Sequence, residues 1–206
     1  MTPSGSLPTR YFDGLYAAAP DPWGFRDRWY EQRKRDVTLA ALPHPSYRRA
    51  FEPGCSIGVL TDGLAQRCGD LLAADASAAA VATARRHLAQ HPHVRVEQRS
   101  LPDAWPGDDI FDLVVLSELG YYFDPPTLER VLDLAIGSLA PAGVLVACHW
   151  RHPVRDYPQS GDAVHDALSA RPLLHRHVLH VEADFMLEVF TRGPAPSVAE
   201  REGLTP

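Results

Sequence analysis

Apolar positions along the chain fall into two patterns, short unbroken runs and helical stripes, and the two alternate through most of its length. The unbroken runs predict strands over residues 49–52, 70–74, 94–98, 111–117 and 143–149. The fourth, FDLVVLS, is the continuous kind of run that is buried on both faces of a parallel sheet. Between the strands, residues 59–68 present Leu60, Leu64 and Cys68 at four-residue spacing, and residues 77–91 are rich in alanine. Residues 125–139 carry the stripe Leu128, Val131, Leu132, Ala135 and Leu139, with Asp124 as N-cap and Pro125 at the first helical position.

Upstream lies an aromatic leader with Tyr11, Phe12, Tyr16, Trp23, Phe25, Trp29 and Tyr30, followed by a helical run over 29–42 that Pro43 and Pro45 close. Strands alternating with helices imply an α/β fold with a doubly wound, mostly parallel sheet and right-handed crossovers. Two final strand-like runs, 175–182 and 185–191, have no helix between them and must pair antiparallel. The expectation is one domain over 1–206: a helical lid at 10–45 and a core at 46–191 whose seven-stranded sheet ends in an antiparallel hairpin. Residues 1–9 and 193–206 read as disordered ends.

Composition narrows the function. A net charge of −6 and a single lysine, Lys34, argue against binding nucleic acid through its phosphates. The basic stretch from Arg26 to Arg35, interrupted by Asp27 and Glu31, reads as a solvated helix face. No apolar run is long enough to span a bilayer and no secretory signal opens the chain, so a cytoplasmic protein is expected. The three cysteines, Cys55, Cys68 and Cys148, fit reduced thiols. The histidine groups His87, His91 and His93, and His175 and His177, lack companion ligands at metal spacing, so no metal is expected.

The candidate chemistry lies where the first strand runs into Glu52-Pro53-Gly54-Cys55-Ser56-Ile57-Gly58. Glycines in such a turn let the backbone bend sharply and a ligand approach it closely. Glu52 stands at the strand's carboxyl end, and Asp75, 17 residues after Gly58, stands at the end of the second, placed for the hydroxyls of a ribose. The full G-x-G-x-x-G fingerprint is absent, which points away from a pyrophosphate and hence from a nicotinamide dinucleotide. The plain alternative is a strand–helix turn with a solvated Glu52 and an N-capping Asp75.

EPGCSIGVLT, the acid of LLAAD, FDLVVLSE and LAPAGVLV resemble the class I S-adenosylmethionine-dependent methyltransferases, which have a Rossmann-like fold. DPWGF…WYEQRK, SELGYYF and HWRHPVRDYPQSGDAVH are similar to the NodS-type nodulation N-methyltransferases. The resemblance implies that Glu52, Gly54 and Gly58, with Cys55 between them, hold the methionine part of the cofactor. It implies that Asp75 and Ala76 hold the ribose, Ser100 and Leu101 border the adenine, and Ser117 and Glu118 lie beneath the sulfonium. Trp23 and Tyr30 would close over the cofactor, with Arg33 on its carboxylate. The chain departs from the common pattern at Ser56, Ser100 and Ala142; Ser56 is tolerable if its φ stays negative.

His149, at the carboxyl edge after the fifth strand, is a candidate to accept the acceptor's proton, against the plain reading of a satisfied core histidine. Tyr121 and Glu118 are candidates for acceptor contacts, and residues 156–165 for a loop over the acceptor. The resemblance implies a small-molecule amine as acceptor, such as an amino sugar. O-methylation of a natural product and a non-catalytic adenosyl-binding module are the alternatives. Monomer and homodimer both remain open.

Overall fold

The computed structural model describes residues 5–205. Seven strands form one sheet: β1 (Tyr47–Pro53), β2 (Cys68–Asp75), β3 (Val94–Gln98), β4 (Phe111–Ser117), β5 (Leu139–Trp150), β6 (Leu174–Val181) and β7 (Phe185–Arg192). Their spatial order is β3-β2-β1-β4-β5-β7-β6. The pairs from β3 to β5 are parallel, and β7 runs antiparallel to both β5 and β6. This is the mostly parallel, doubly wound sheet with a C-terminal hairpin that the residue pattern implies. The hairpin inserts its second strand next to β5 and leaves β6 at the edge. That placement follows from burial: Phe185, Leu187, Val189 and Phe190 of β7 are fully buried, whereas β6 alternates toward solvent.

The helices are α1 (Thr9–Ala18), α2 (Trp29–Ala40), α3 (Val59–Ala65), α4 (Ala78–His87), α5 (Pro125–Gly137), α6 (Gly161–Ser169) and α7 (Val198–Arg201). α5 starts as expected, with Asp124 accepting from the Thr127 amide and Pro125 in its first turn. One apolar cluster, including Phe51, Leu116, Leu132 and Phe190, joins the sheet to α5 and α6; a second, including Leu64, Leu113, Val146 and Leu187, packs toward α2 and α3.

Several elements differ from the residue pattern. Of the expected disordered start, residues 1–4 lie outside the described residues; beyond them, the Leu7 amide donates to the Tyr122 carbonyl and Ser6 binds Asp124. The tail, also expected to be disordered, carries α7, which has a complete capping box between Ser197 and Glu200 and is tied by Arg201 to the Pro43 carbonyl. Residues 156–165 are not all loop: Ser160 caps α6, which packs on β5 and β7. Gly161 permits that approach, since a Cβ there would overlap the Trp150 carbonyl oxygen. Overpacking of this kind costs about 1–3 kcal/mol. Gly161→Ala is therefore expected to lower the unfolding free energy measured in urea by that order, and an unchanged value would refute the tight α6–β5 contact.

Candidate functional site

Behind the carboxyl edge of β1 the chain turns through Gly54, Ser56 and Gly58, all at positive φ (77°, 52° and 83°). Ser56 was expected to be tolerable only at negative φ. It instead adopts the left-handed region, held by its amide donating to Asp75 Oδ2 (2.9 Å) and by contact between its hydroxyl and that of Tyr16. Asp75 Oδ1 accepts from the Ser77 amide (2.9 Å), so the carboxylate organises the turn as well as facing the cleft. Burial raises the Asp75 pKa.

Three adjoining clefts open along this edge, and Glu118 and Phe25 border all of them. The first is a cleft open to solvent, with about 780 Å³ of empty space counted out to its mouth. Asp75, Ala76, Ser100, Leu101, Gly54 and Trp23 line it. The second takes in Glu52, Cys55, Ser117, Glu31 and Lys34, and the third Tyr30, Tyr121, Trp150, Tyr157 and again Trp23. Most residues singled out in the sequence thus meet on one connected surface.

Glu52 is the chemically tense group. Its side chain is buried, its Oε2 has no hydrogen-bond partner, and burial pushes its pKa up to about 8. It is not the solvated acid of the plain reading. A buried carboxyl oxygen without a donor costs free energy, and a ligand ammonium arriving from the second cleft would supply the missing donor.

Glu118 sits at φ 54°, with its amide donating to the Cys148 carbonyl (2.8 Å). Its Oε1 accepts from Lys34 Nζ at 2.9 Å and its Oε2 from the Tyr121 hydroxyl. Lys34 also pairs with Glu31 at 3.0 Å and lies 5.0 Å from the Tyr30 ring centre. Burial alone would lower the Lys34 pKa, but Glu118 and Glu31 together hold it above the usual lysine range. Burial raises the Tyr121 pKa well above that of free tyrosine, so Tyr121 remains the donor to Glu118.

Three expected roles need correction. Arg33 lines none of these clefts; it reaches the link between β6 and β7, where its two terminal guanidinium nitrogens donate to Glu182 (2.8 and 2.7 Å). Lys34, one residue on, carries the positive charge into the site, because position 34 follows Tyr30 by four residues on the same helical face. Gly58 lines none of the three clefts; a Cβ there would lie 2.9 Å from Leu88 and 3.2 Å from Ala84, so it serves the packing of the turn on α4. His149 is 0% exposed, with Nε2 accepting from the Gly120 amide (3.1 Å) and Nδ1 against His165 (3.2 Å). It is a satisfied core histidine, because its β5 position faces α6 rather than the cleft.

Glu31, Lys34, Phe25, Tyr16 and Tyr157 were missed as site residues. The 26–35 stretch read as a solvated face, yet Glu31 and Lys34 are only 8% and 5% exposed. The lone lysine of the chain, four residues after Tyr30, was the available signal. Among the described residues, no group of three His, Cys, Asp or Glu side chains is arranged to hold a metal ion, and no helix is long and apolar enough to cross a membrane.

Comparison with known proteins follows the same lines. The family profile described as "Methyltransferase domain" matches residues 50–143. A solved structure of a putative methyltransferase from Pseudomonas syringae is 48% identical, with a TM-score of 0.72, covering 80% of this chain and 100% of that one. The N-methyltransferase NodS from Bradyrhizobium japonicum, solved with S-adenosyl-L-homocysteine, is 22% identical with a TM-score of 0.80, covering 89% of this chain and 97% of that one; at that identity the likeness is one of fold. A ubiquinone biosynthesis O-methyltransferase from Methylococcus capsulatus is 28% identical over 71% of this chain, which spans only 54% of that relative's length.

The Glu52 environment makes a testable demand. With its folded pKa near 8 and an ordinary value when unfolded, the native state holds the extra proton between about pH 4.5 and 8. Stability of the free protein therefore falls as pH rises through that window. Glu52→Gln should flatten this slope in urea titrations at several pH values; an identical slope in both proteins would show that Glu52 is ionised in the free fold.

Proposed function

The chain belongs to the class I S-adenosylmethionine-dependent methyltransferases, and from that premise we propose that it methylates a nitrogen of a small amine seated in the third cleft. When bound, the cofactor supplies an electrophilic methyl group for direct transfer to a nucleophile. The residues present fit it. Glu52, with its orphaned oxygen, suits the ammonium of the methionine part, and the Gly54 turn allows close approach of the backbone. Asp75, with Ser100 and Leu101 across the first cleft, suits the nucleoside. Lys34 and Arg35, both on the second cleft, are the cations available to the carboxylate, in the role first expected of Arg33.

The observation that carries the amine reading is the state of the groups around Glu118. Its carboxylate already accepts from Lys34 and Tyr121, burial keeps the Tyr30 and Tyr121 hydroxyls protonated, and His149 is sealed away. A hydroxyl acceptor needs a base to become a good nucleophile, whereas an amine that enters uncharged attacks as it is. The aromatic side chains of Trp23, Tyr30, Trp150 and Tyr157 line this cleft and suit the apolar face of an amino sugar. Catalysis on this reading is mainly alignment of the amine with the methyl group. The relative named for O-methylation makes a small-molecule hydroxyl the second reading.

Two measurements test the assignment. Asp75→Ala should weaken S-adenosylhomocysteine binding at least about tenfold by calorimetry, roughly 1.4 kcal/mol; unchanged affinity would move the nucleoside elsewhere. Mass spectrometry on a mixed panel of amino sugars, simple amines and phenols should show one added methyl mass on amines. Methylation confined to phenols would establish the second reading instead.

A further inference from the structure

The buried polar groups around β5 form a chain whose proton order can be read from the obligate donor at its near end. The Gly120 amide can only donate, so His149 Nε2 must accept, and the proton of that ring sits on Nδ1. Nδ1–H then donates to His165 Nε2 (3.2 Å), which places the His165 proton on its own Nδ1, donating to Glu188 Oε2 at 2.7 Å. Glu188 Oε1 accepts from Arg176 Nη1 (2.9 Å) on the edge strand and from the Ser169 hydroxyl (3.4 Å). A proton on both nitrogens of either ring would set two donors face to face somewhere along this chain. His149, His165 and Glu188 are 0%, 2% and 1% exposed, so a break leaves a polar group without water.

The near end of this chain lies beside the methyl-transfer centre. Gly120 falls between Glu118, at its left-handed φ of 54°, and Tyr121, which donates to Glu118. A non-glycine residue in that region is strained and persists only where its surroundings hold it. The packing around the chain leaves no slack: a Cβ on Gly120 would lie 2.5 Å from Val164 and 3.1 Å from His149 Nε2. Leu119, next to Gly120, packs against the Gly54 turn, and Glu118 and Leu119 line the first cleft together with Gly54 and Asp75, so the end of this chain reaches all three clefts.

We propose that His149, His165 and Glu188 act as positioning residues, a buried strut that fixes the Glu118–Tyr121 turn against β5 so that Glu118 faces the acceptor. The link to methyl transfer rests on the function proposed above; the strut itself does not. It extends from β7 to the junction of the three clefts.

The test has two arms that stand without an acceptor. Long-range proton–nitrogen NMR of the intact protein should show both His149 and His165 as Nδ1–H tautomers with bare Nε2; a proton on Nε2 of either ring overturns the strut. Glu188→Leu removes the terminal acceptor, while Glu188→Gln keeps an oxygen for His165. In Glu188→Leu the Gly120 amide should exchange with solvent at least about tenfold faster while the Val146 amide does not change, and Glu188→Gln should restore most of the protection. Equal acceleration at Gly120 and Val146, or none at Gly120, would reduce the chain to ordinary core polarity. With an amine acceptor found in the panel, Glu188→Leu should lower kcat about tenfold at saturating cofactor. If no amine is methylated, the proposed function fails while the NMR and exchange results still decide the strut.

Discussion

Lys34 carries its ammonium from α2 into the space below the end of β4, where it meets Glu118 at 2.9 Å and Glu31 at 3.0 Å. With the lysine only 5% exposed, its removal would leave two carboxylates without a counter-charge in a poorly solvated place, a loss of about 3–5 kcal/mol by the measure of a broken buried pair. Burial also raises the Glu31 pKa, so Lys34 is the charge that keeps this acid ionised. The ion cluster fixes α2 to the sheet, and with it the aromatic segment that precedes α2. Trp23, Phe25 and Tyr30 therefore stand over the carboxyl edge as walls of the clefts, with Tyr30 edge-on to Trp150 at 5.5 Å. The Tyr16–Ser56 contact on one side and the Arg33–Glu182 pair on the other hold the same segment at its flanks.

Two residues other than glycine hold left-handed backbone in this region, Ser56 and Glu118, and each stands at the end of a strand that borders the clefts. Each is held by contacts from elsewhere in the fold. Asp75 of β2 takes the Ser56 amide and Tyr16 of α1 its hydroxyl, while Lys34, Tyr121 and the Cys148 carbonyl hold Glu118. Strain of this kind collects at functional sites because it aims backbone and side chains where a relaxed turn would not. The cost falls on packing that is already rigid, chiefly the middle strands, which are covered on both faces.

The strands and their order were legible because each carries a run that only a buried parallel strand tolerates, and because the short link between residues 182 and 185 leaves no alternative to a hairpin. That Glu52, Gly54 and Asp75, the residues proposed for the cofactor, gather in one place was legible for a related reason: they lie at strand ends, and the topology of a doubly wound sheet brings strand ends together. Local pattern failed where a side chain's direction depends on distant partners. Arg33 and Lys34 are adjacent cations in the sequence, and only the register of α2 on the sheet decides which one turns inward and which one meets Glu182. His149 presents the same difficulty, since its face of β5 is settled by α6, and α6 itself starts at Ser160 within a segment that reads as loop. Ser56 misled in another way, because the residue alone does not reveal that Asp75 and Tyr16 hold it at positive φ.

This division has a consequence for specificity. The residues suited to the cofactor come from two neighbouring strands and one turn, so their geometry is set by the parallel register that pairs Glu52 with Ala73 and Pro53 with Ala74, and by the Gly54 amide donating to the Ala74 carbonyl. The third cleft is assembled from residues 22–34, 118–122 and 150–157, segments far apart in the chain and joined through side chains: Lys34 to Glu118, Tyr121 stacked on Tyr157 at 4.9 Å, and Tyr30 against Trp150. Substitutions in those segments alter the walls without touching a strand register. The acceptor can thus change between relatives while the cofactor half keeps its geometry, which fits a fold shared by proteins named for nitrogen and for oxygen methylation. What limits that freedom is Glu118, which belongs to all three clefts, so any change at the acceptor wall must leave Lys34 and Tyr121 able to hold it.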